Sequence, residues 1–332
     1  MNILVLDTAA STSGAETVLT QYYEKVKSDK SNKYYFCVSI IPLSASPNIT
    51  ILSFPWTKLS WVHRLFFDYI YSKVIIHRYK IDHVISLQNM GLPFCNLPQT
   101  IFLQNALPFS KHRFSFFKEP ILWLYQNVIG KLICRSLNEA TCIIVQTNWM
   151  KNAIVSSLGI SSSKIIVEKP LLKLSPTRIF DSSSFKNTFF YPATRYCYKN
   201  HIVIYKAVQI LKNQGITNFK IILTLTYSSL PHDCKEIHNQ LRNYFQLAGI
   251  LPHEKVFDLY SHAILIFPSY LETVGLPLIE AKLCNSPIIV ANEPFAREIL
   301  SDYCCVDFFE HNDANTLAEY IKKHMVATQN FS

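Results

Sequence analysis

Apolar residues along the chain gather into short runs rich in β-branched and aromatic side chains, and amphipathic stretches separate the runs. In the first half the runs are NILVLDT, YYFCVSII, ITILSF, IDHVISLQ, QTIFLQN, TCIIVQT and KIIVEK. They are continuously apolar rather than alternating, the pattern of strands covered on both faces. Helical spacing lies between several of them, over 15–26, 61–79, 119–137 and 149–158. Strand and helix in alternation predict right-handed βαβ units and a parallel sheet.

The alternation breaks after Pro170, where LLKLSPTRIFDSSSFKN carries a Ser-Pro and three consecutive serines and reads as a linker over 173–185. It then resumes, with TFFYPA, FKIILTLT, FQLAGI, AILIFPS, PIIVAN and CCVDF as strands. Helices are expected over 201–213, 234–244, 253–261, 277–283, 296–300 and 314–325. The fold expected is therefore α/β, with two Rossmann-like domains over 1–172 and 186–332 facing each other across a cleft. In such folds ligands sit beyond the carboxyl ends of the strands.

Bulk properties narrow the classes. The 332 residues are too many for one ordinary core, which agrees with two domains. MNILVLDTAAS lacks a basic lead and reaches an aspartate at Asp7, so it reads as a first buried strand rather than a secretory signal, and a cytoplasmic setting is expected. No charge-free apolar run is long enough for a membrane span. The nine cysteines form no C-x-x-C pair, which predicts reduced, mostly buried thiols. A net charge of +9 suits a phosphorylated substrate or an anionic membrane surface. Nucleic acid is not expected, because no helix-turn-helix, RNP or zinc-finger pattern accompanies the charge.

The segment YLETVGLPLIEA concentrates the candidate chemistry, and it spends one of only 7 glycines in the chain. It follows the expected strand AILIFPS at its carboxyl edge. Gly275 allows close backbone approach to a ligand. Pro277 is expected as the first helical residue, where its missing N–H costs nothing, so free N–H groups and the positive end of the helix point at the ligand. Glu272 on the loop can accept hydrogen bonds from sugar hydroxyls, and Glu280, expected in the first turn, from a vicinal diol. A solvated loop acid and an acid complementing the helix dipole would satisfy the same spacing.

ILIFPSYLETVGLPLIEAKLCNSPIIVANEPFAREIL resembles the E-x7-E signature of the family 4 (group 1) retaining glycosyltransferases of the GT-B fold, with Glu272 and Glu280 on its two glutamates. The resemblance runs over roughly 189–321. It implies that Glu272 contacts the donor sugar and Glu280 the nucleotide ribose, with Thr273, Val274, Gly275 and Leu276 between them on the donor. In FFYPATRYCYKN, Arg195 and Lys199 match the basic pair that holds the leaving diphosphate in that family. No D-x-D motif is present, and the resemblance implies a reaction without metal or cofactor.

The amino-terminal half is less similar. DTAASTSGAETVL fills the place of the family's glycine loop, with Gly14 kept as a donor-binding position and Ser13 where the earlier glycine stands. Neither G-x-G-x-x-G nor G-x-x-x-x-G-K occurs, which counts against a nicotinamide enzyme or a P-loop ATPase. In FLQNALPF, Gln104 and Asn105 can face a ligand, Asn105 either touching the sugar or capping its loop. Thr147 is read as a helix cap.

SFPWTKLSWVHRLFFDYIYSKVIIHRYK, over 53–80, mixes aromatic and basic residues. It suits an anionic membrane interface, or its aromatics fill the core. The function expected is transfer of a hexose-type sugar from a nucleotide diphosphate to a glycan hydroxyl on a lipid-linked acceptor, such as a polyprenyl diphosphate, with retention of configuration. It would act at the inner face of the cytoplasmic membrane, in assembly of O-antigen, capsule or exopolysaccharide. A nucleotide-sugar epimerase of the same fold and a non-catalytic partner subunit are the alternatives.

Overall fold

The computed structural model describes residues 1–10, 14–170 and 178–327. The chain divides into two compact units, Met1–Leu171 and Leu172–Ser332.

The first unit is built on seven parallel strands: β1 (Asn2–Asp7), β2 (Lys33–Val38), β3 (Ile49–Ser53), β4 (His83–Ser86), β5 (Gln99–Phe102), β6 (Cys142–Val145) and β7 (Ile165–Val167). Their order is β3-β2-β1-β4-β5-β6-β7. The helices are α1 (Gly14–Lys27), α2 (Trp61–Phe66), α3 (Ser72–Arg78), α4 (Pro120–Leu124), α5 (Gly130–Glu139) and α6 (Asn148–Leu158). Alternation of side chains along β1 explains its unbroken apolar run. Ile3 and Val5 join a core with Leu19 and Tyr23 of α1, while Leu4 and Leu6 join a second core with Phe67 and Ile75 on the other face.

Two stretches patterned as single helices are interrupted. A π-helical turn, Phe67–Tyr71, separates α2 from α3, and another, Tyr125–Ile129, separates α4 from α5.

The second unit carries β8 (Thr188–Tyr191), β9 (Lys220–Leu223), β10 (Phe245–Leu247), β11 (Ile264–Phe267), β12 (Ile288–Ala291) and β13 (Val306–Phe309), again all parallel, in the order β10-β9-β8-β11-β12-β13. Its helices are α7 (His201–Asn213), α8 (His232–Leu241), α9 (His253–Tyr260), α10 (Leu276–Leu283), α11 (Pro294–Ile299) and α12 (Ala314–Ala327). Phe189, Phe190 and Tyr191 of β8 are fully buried, each burial contributing about 1.5–3 kcal/mol.

The linker expected over 173–185 lies partly outside the described residues, and its described part belongs to the second unit. Phe180 donates its N–H to Cys284 O, Asp181 donates to Ser261 O, and the buried Phe185 meets Phe189 edge-on. The nine cysteines are free thiols, but only Cys37, Cys234 and Cys284 are buried, and Cys304 and Cys305 are exposed.

Candidate functional site

Both sheets have the doubly wound order in which the first strand of each unit neighbours the fourth. In the second unit these neighbours are β8 and β11. The chain leaves their carboxyl ends in opposite directions, which opens a crevice between the two loops. The loop after β8 carries Arg195 and Lys199, and the loop after β11 carries Glu272 and Gly275.

Hydrogen bonds stitch these loops together. Tyr270 donates its N–H to Tyr198 O at 3.1 Å, and Ser269 Oγ lies 3.2 Å from the same oxygen. Tyr191 OH donates to Lys199 O at 2.7 Å. Asn200 caps α7 with φ 57°, a left-handed conformation that asparagine tolerates, and its amide donates to Pro268 O and His311 O. One buried side chain thereby fixes three segments.

Within this frame Lys199 Nζ lies 2.5 Å from Glu272 Oε1, with the two side chains 18% and 14% exposed. Ser269 Oγ donates to the same carboxylate oxygen at 2.7 Å. Oε2 accepts no hydrogen bond among the described residues, so it remains for a ligand hydroxyl. His201, next in the chain to Asn200, is buried with neither ring nitrogen bonded. Burial first, and the Lys199 charge second, push its pKa down to about 3. It is therefore neutral, and Lys199 is the fixed cation at this point. Arg195 is exposed and forms no ion pair among the described residues. With Lys199 it borders a groove of about 570 Å³ whose other wall includes Thr226, Gly249 and Ile250.

Helix α10 begins one residue earlier than its proline suggested: Leu276 is the first helical residue and Pro277 the second. Gly275 is the cap at φ +80°, and an added Cβ would lie 3.3 Å from Leu278 Cδ1. Val274 is buried. Thr273 and Leu276 are half-buried.

Glu280 is the fifth residue of α10 and so falls outside the first turn, which removes the reading in which it complements the helix dipole. It is 8% exposed. Tyr260 OH donates to its Oε2 at 3.1 Å, and His253 Nε2 lies 3.2 Å from its Oε1. These two partners, the first and last residues of α9, were missed in the sequence. Their spacing of seven, two helical turns on one face, was the available signal.

In the first unit Gly14 opens α1, and 11–13 before it lie outside the described residues. Asn105 Oδ1 accepts from Leu107 N–H at 2.9 Å, a loop cap. Gln104 is also committed to its loop, donating from Nε2 to Leu87 O at 2.9 Å. Thr147 stands at the cap position of α6 with extended backbone.

The aromatic segment over 53–80 divides between the two fates expected for it. Phe54, Trp56 and Phe67 pack in the core, whereas Trp61, Val62, Leu65, Phe66 and Ile70 are exposed. No helix among the described residues is long and apolar enough to cross a membrane.

Residues 178–327 match the family model described as glycosyl transferases group 1. The carboxyl-terminal unit belongs to the group 1 glycosyltransferases. The stitched loops and the Lys199–Glu272 pair lie within the matched residues. No curated protein matches the chain in a sequence comparison.

Solved structures place the whole chain in the GT-B fold. Sucrose-phosphate synthase from Thermosynechococcus elongatus is 13% identical, with TM-score 0.74 over 99% of this chain and 90% of that one. WaaG, a glycosyltransferase involved in lipopolysaccharide biosynthesis, is 12% identical, with TM-score 0.72 over 98% and 90%. Anabaena HepE, solved in complex with UDP-glucose, is 15% identical, with TM-score 0.64 over 99% and 91%.

Proposed function

We propose that this glycosyltransferase moves a hexose-type sugar from a nucleotide diphosphate to a hydroxyl of a lipid-linked glycan, with retention of configuration. The observation that carries the reading is the Lys199–Glu272 bridge, held at the β8/β11 crevice beside the unpaired Arg195.

Arg195 offers a planar fork to the diphosphate oxygens and Lys199 a point charge, so negative charge building on the leaving group meets two cations. In this reading no metal is required, because those cations and the backbone N–H groups around Gly275 carry the charge. Thr273, Val274 and Leu276 present backbone to the donor. Glu272 Oε2 orients the sugar, and Glu280 accepts from the ribose. The bond from C1 to the diphosphate breaks, a bond from the acceptor oxygen to C1 forms on the same face, and the acceptor proton passes to a departing phosphate oxygen.

HepE was solved with UDP-glucose and WaaG belongs to lipopolysaccharide biosynthesis, which supports a nucleotide-sugar donor and a surface-polysaccharide product such as O-antigen, capsule or exopolysaccharide. The exposed apolar face around Trp61 and Phe66, in a chain of net charge +9, supports peripheral attachment at the inner face of the cytoplasmic membrane.

A panel of UDP-, GDP- and other nucleotide sugars, screened by thermal shift and then by nucleotide release with and without acceptor, tests the reading. Acceptor-dependent release is expected. Donor conversion without acceptor would point to epimerisation, and no nucleotide binding at all would leave a non-catalytic subunit.

A further inference from the structure

The two donors that hold Glu280 differ in depth. Tyr260 is fully buried, its ring edge-on to Phe190 and Phe257 at centroid distances of 5.6 and 5.9 Å, and its hydroxyl pins Oε2 from the interior. His253 is half-exposed, and its Nε2 pins Oε1 from the solvent side. A carboxylate accepts hydrogen bonds and cannot donate them, so it selects the ring form that carries a proton on Nε2. Phe257, one turn further along α9, meets the imidazole at 4.8 Å and limits where it can swing.

The same helix reaches the groove beside Arg195 and Lys199. Leu251, just before α9, and Val256, three residues after His253, both line that groove. The loop that leads into α9 is pinned to the neighbouring strand and the residues after it. Ala248 donates its N–H to Leu223 O at 2.9 Å, and Gly249 donates to Leu225 O at 3.1 Å. One fixed helix thus borders the groove with Val256 and reaches Glu280 with His253.

A hydrogen bond from a half-exposed imidazole adds little to stability, so a role in folding does not account for it. Orientation does. The terminal torsion of a glutamate is broad, and a single pin at Oε2 leaves the plane of the carboxylate free to tilt. Two pins, one on each oxygen, fix that plane. Each oxygen keeps a further acceptor position. Two oxygens held in a set plane are what a vicinal diol needs in order to donate to both at once.

The geometry points to His253 as a positioning residue for the donor. It holds the Glu280 carboxylate so that Oε1 and Oε2 together select a ribose, with its 2′ and 3′ hydroxyls, over a 2′-deoxyribose, an assignment that rests on the reading above in which Glu280 accepts from the ribose.

The full chain and its His253→Ala and His253→Gln variants are titrated by calorimetry with UDP, GDP, ADP and their 2′-deoxy counterparts. The wild-type chain is expected to bind its preferred ribonucleotide about ten-fold or more tighter than the deoxy form, the scale of one hydrogen bond to a charged acceptor. His253→Ala should cut that ratio to about three-fold or less, with little change in the urea midpoint. His253→Gln offers an amide N–H in place of Nε2–H and should restore most of the ratio. In steady-state kinetics the loss in His253→Ala should fall on the donor KM rather than on kcat.

A ratio unchanged in His253→Ala overturns the proposal, and so does a His253→Gln variant that loses the ratio as fully as His253→Ala. A wild-type chain that binds ribose and deoxyribose forms alike, or none of these nucleotides, instead sinks the placing of the ribose at Glu280, and the role of His253 falls with it.

Discussion

Gly275→Ala and Gly215→Ala form a matched pair of perturbations. Both glycines hold left-handed backbone, at φ +80° and +76°. A left-handed alanine costs about 1–2 kcal/mol. At Gly215 that is the whole cost, because an added Cβ meets nothing within 4 Å. At Gly275 the Cβ would lie 3.3 Å from Leu278 Cδ1 and 3.4 Å from two ring carbons of Phe295. Leu278 is 0% and Phe295 2% exposed, so neither side chain has room to swing away. Crowding of this kind adds about 1–3 kcal/mol. The expected losses are therefore about 2–5 kcal/mol for Gly275→Ala and about 1–2 kcal/mol for Gly215→Ala.

Urea unfolding of the full chain measures both losses, and nucleoside diphosphate titration gives a second readout. Gly215 follows the end of α7 remote from Lys199, so its variant should bind nucleotide normally. Gly275→Ala shifts the cap that accepts Leu278 N–H at 2.9 Å, and nucleotide affinity should fall about ten-fold. Equal urea midpoints for the two variants, or unchanged nucleotide affinity in Gly275→Ala, would refute the packing argument.

Further expectations concern both units. Lys199→Ala should lower turnover about a hundred-fold, the scale for losing one charge donor to a transition state, as steady-state kinetics would show. Glu280→Ala should mainly raise the donor KM, by about ten-fold or more, and also destabilise the fold by about 1–3 kcal/mol, because it strands the buried Tyr260 hydroxyl. Asp7 is held at about 7 by burial, so its protonated form is the one the fold favours. Its contribution is complete below pH about 4 and is lost as pH rises through about 7, a swing of about 4 kcal/mol. Asp7→Asn should flatten that part of the stability profile, read from urea midpoints at pH 5 and pH 8, and an unchanged slope would contradict the assignment. Flotation with anionic liposomes should show association that salt removes, and no association would eliminate the membrane face.

The strands were legible because parallel sheets are buried on both sides, and β8, β11 and β12 form where unbroken apolar runs stand. The grouping of Glu272, Gly275 and Glu280 was legible too, since the three fall in one contiguous motif after β11. What escaped was set by tertiary contacts. The π turns in 61–79 and 119–137 add a single residue to a helical period, too small a shift for apolar spacing to reveal. Glu280 was placed one position too early, at the end of the first turn, because Pro277 fits either of the first two helical positions. Tyr260 and His253 lie in another helix from the carboxylate they hold, and their spacing of seven shows that they share a face without showing what that face meets. The serine-rich stretch before β8 looked like a free linker, yet Phe180 and Phe185 anchor it.

The most direct test of the central claim is a crystal structure of the chain with a bound nucleoside diphosphate. The account predicts the two phosphates within hydrogen-bonding distance of the Arg195 guanidinium and Lys199 Nζ, with the ribose at Glu280. Phosphates lodged away from the loops after β8 and β11 would contradict it.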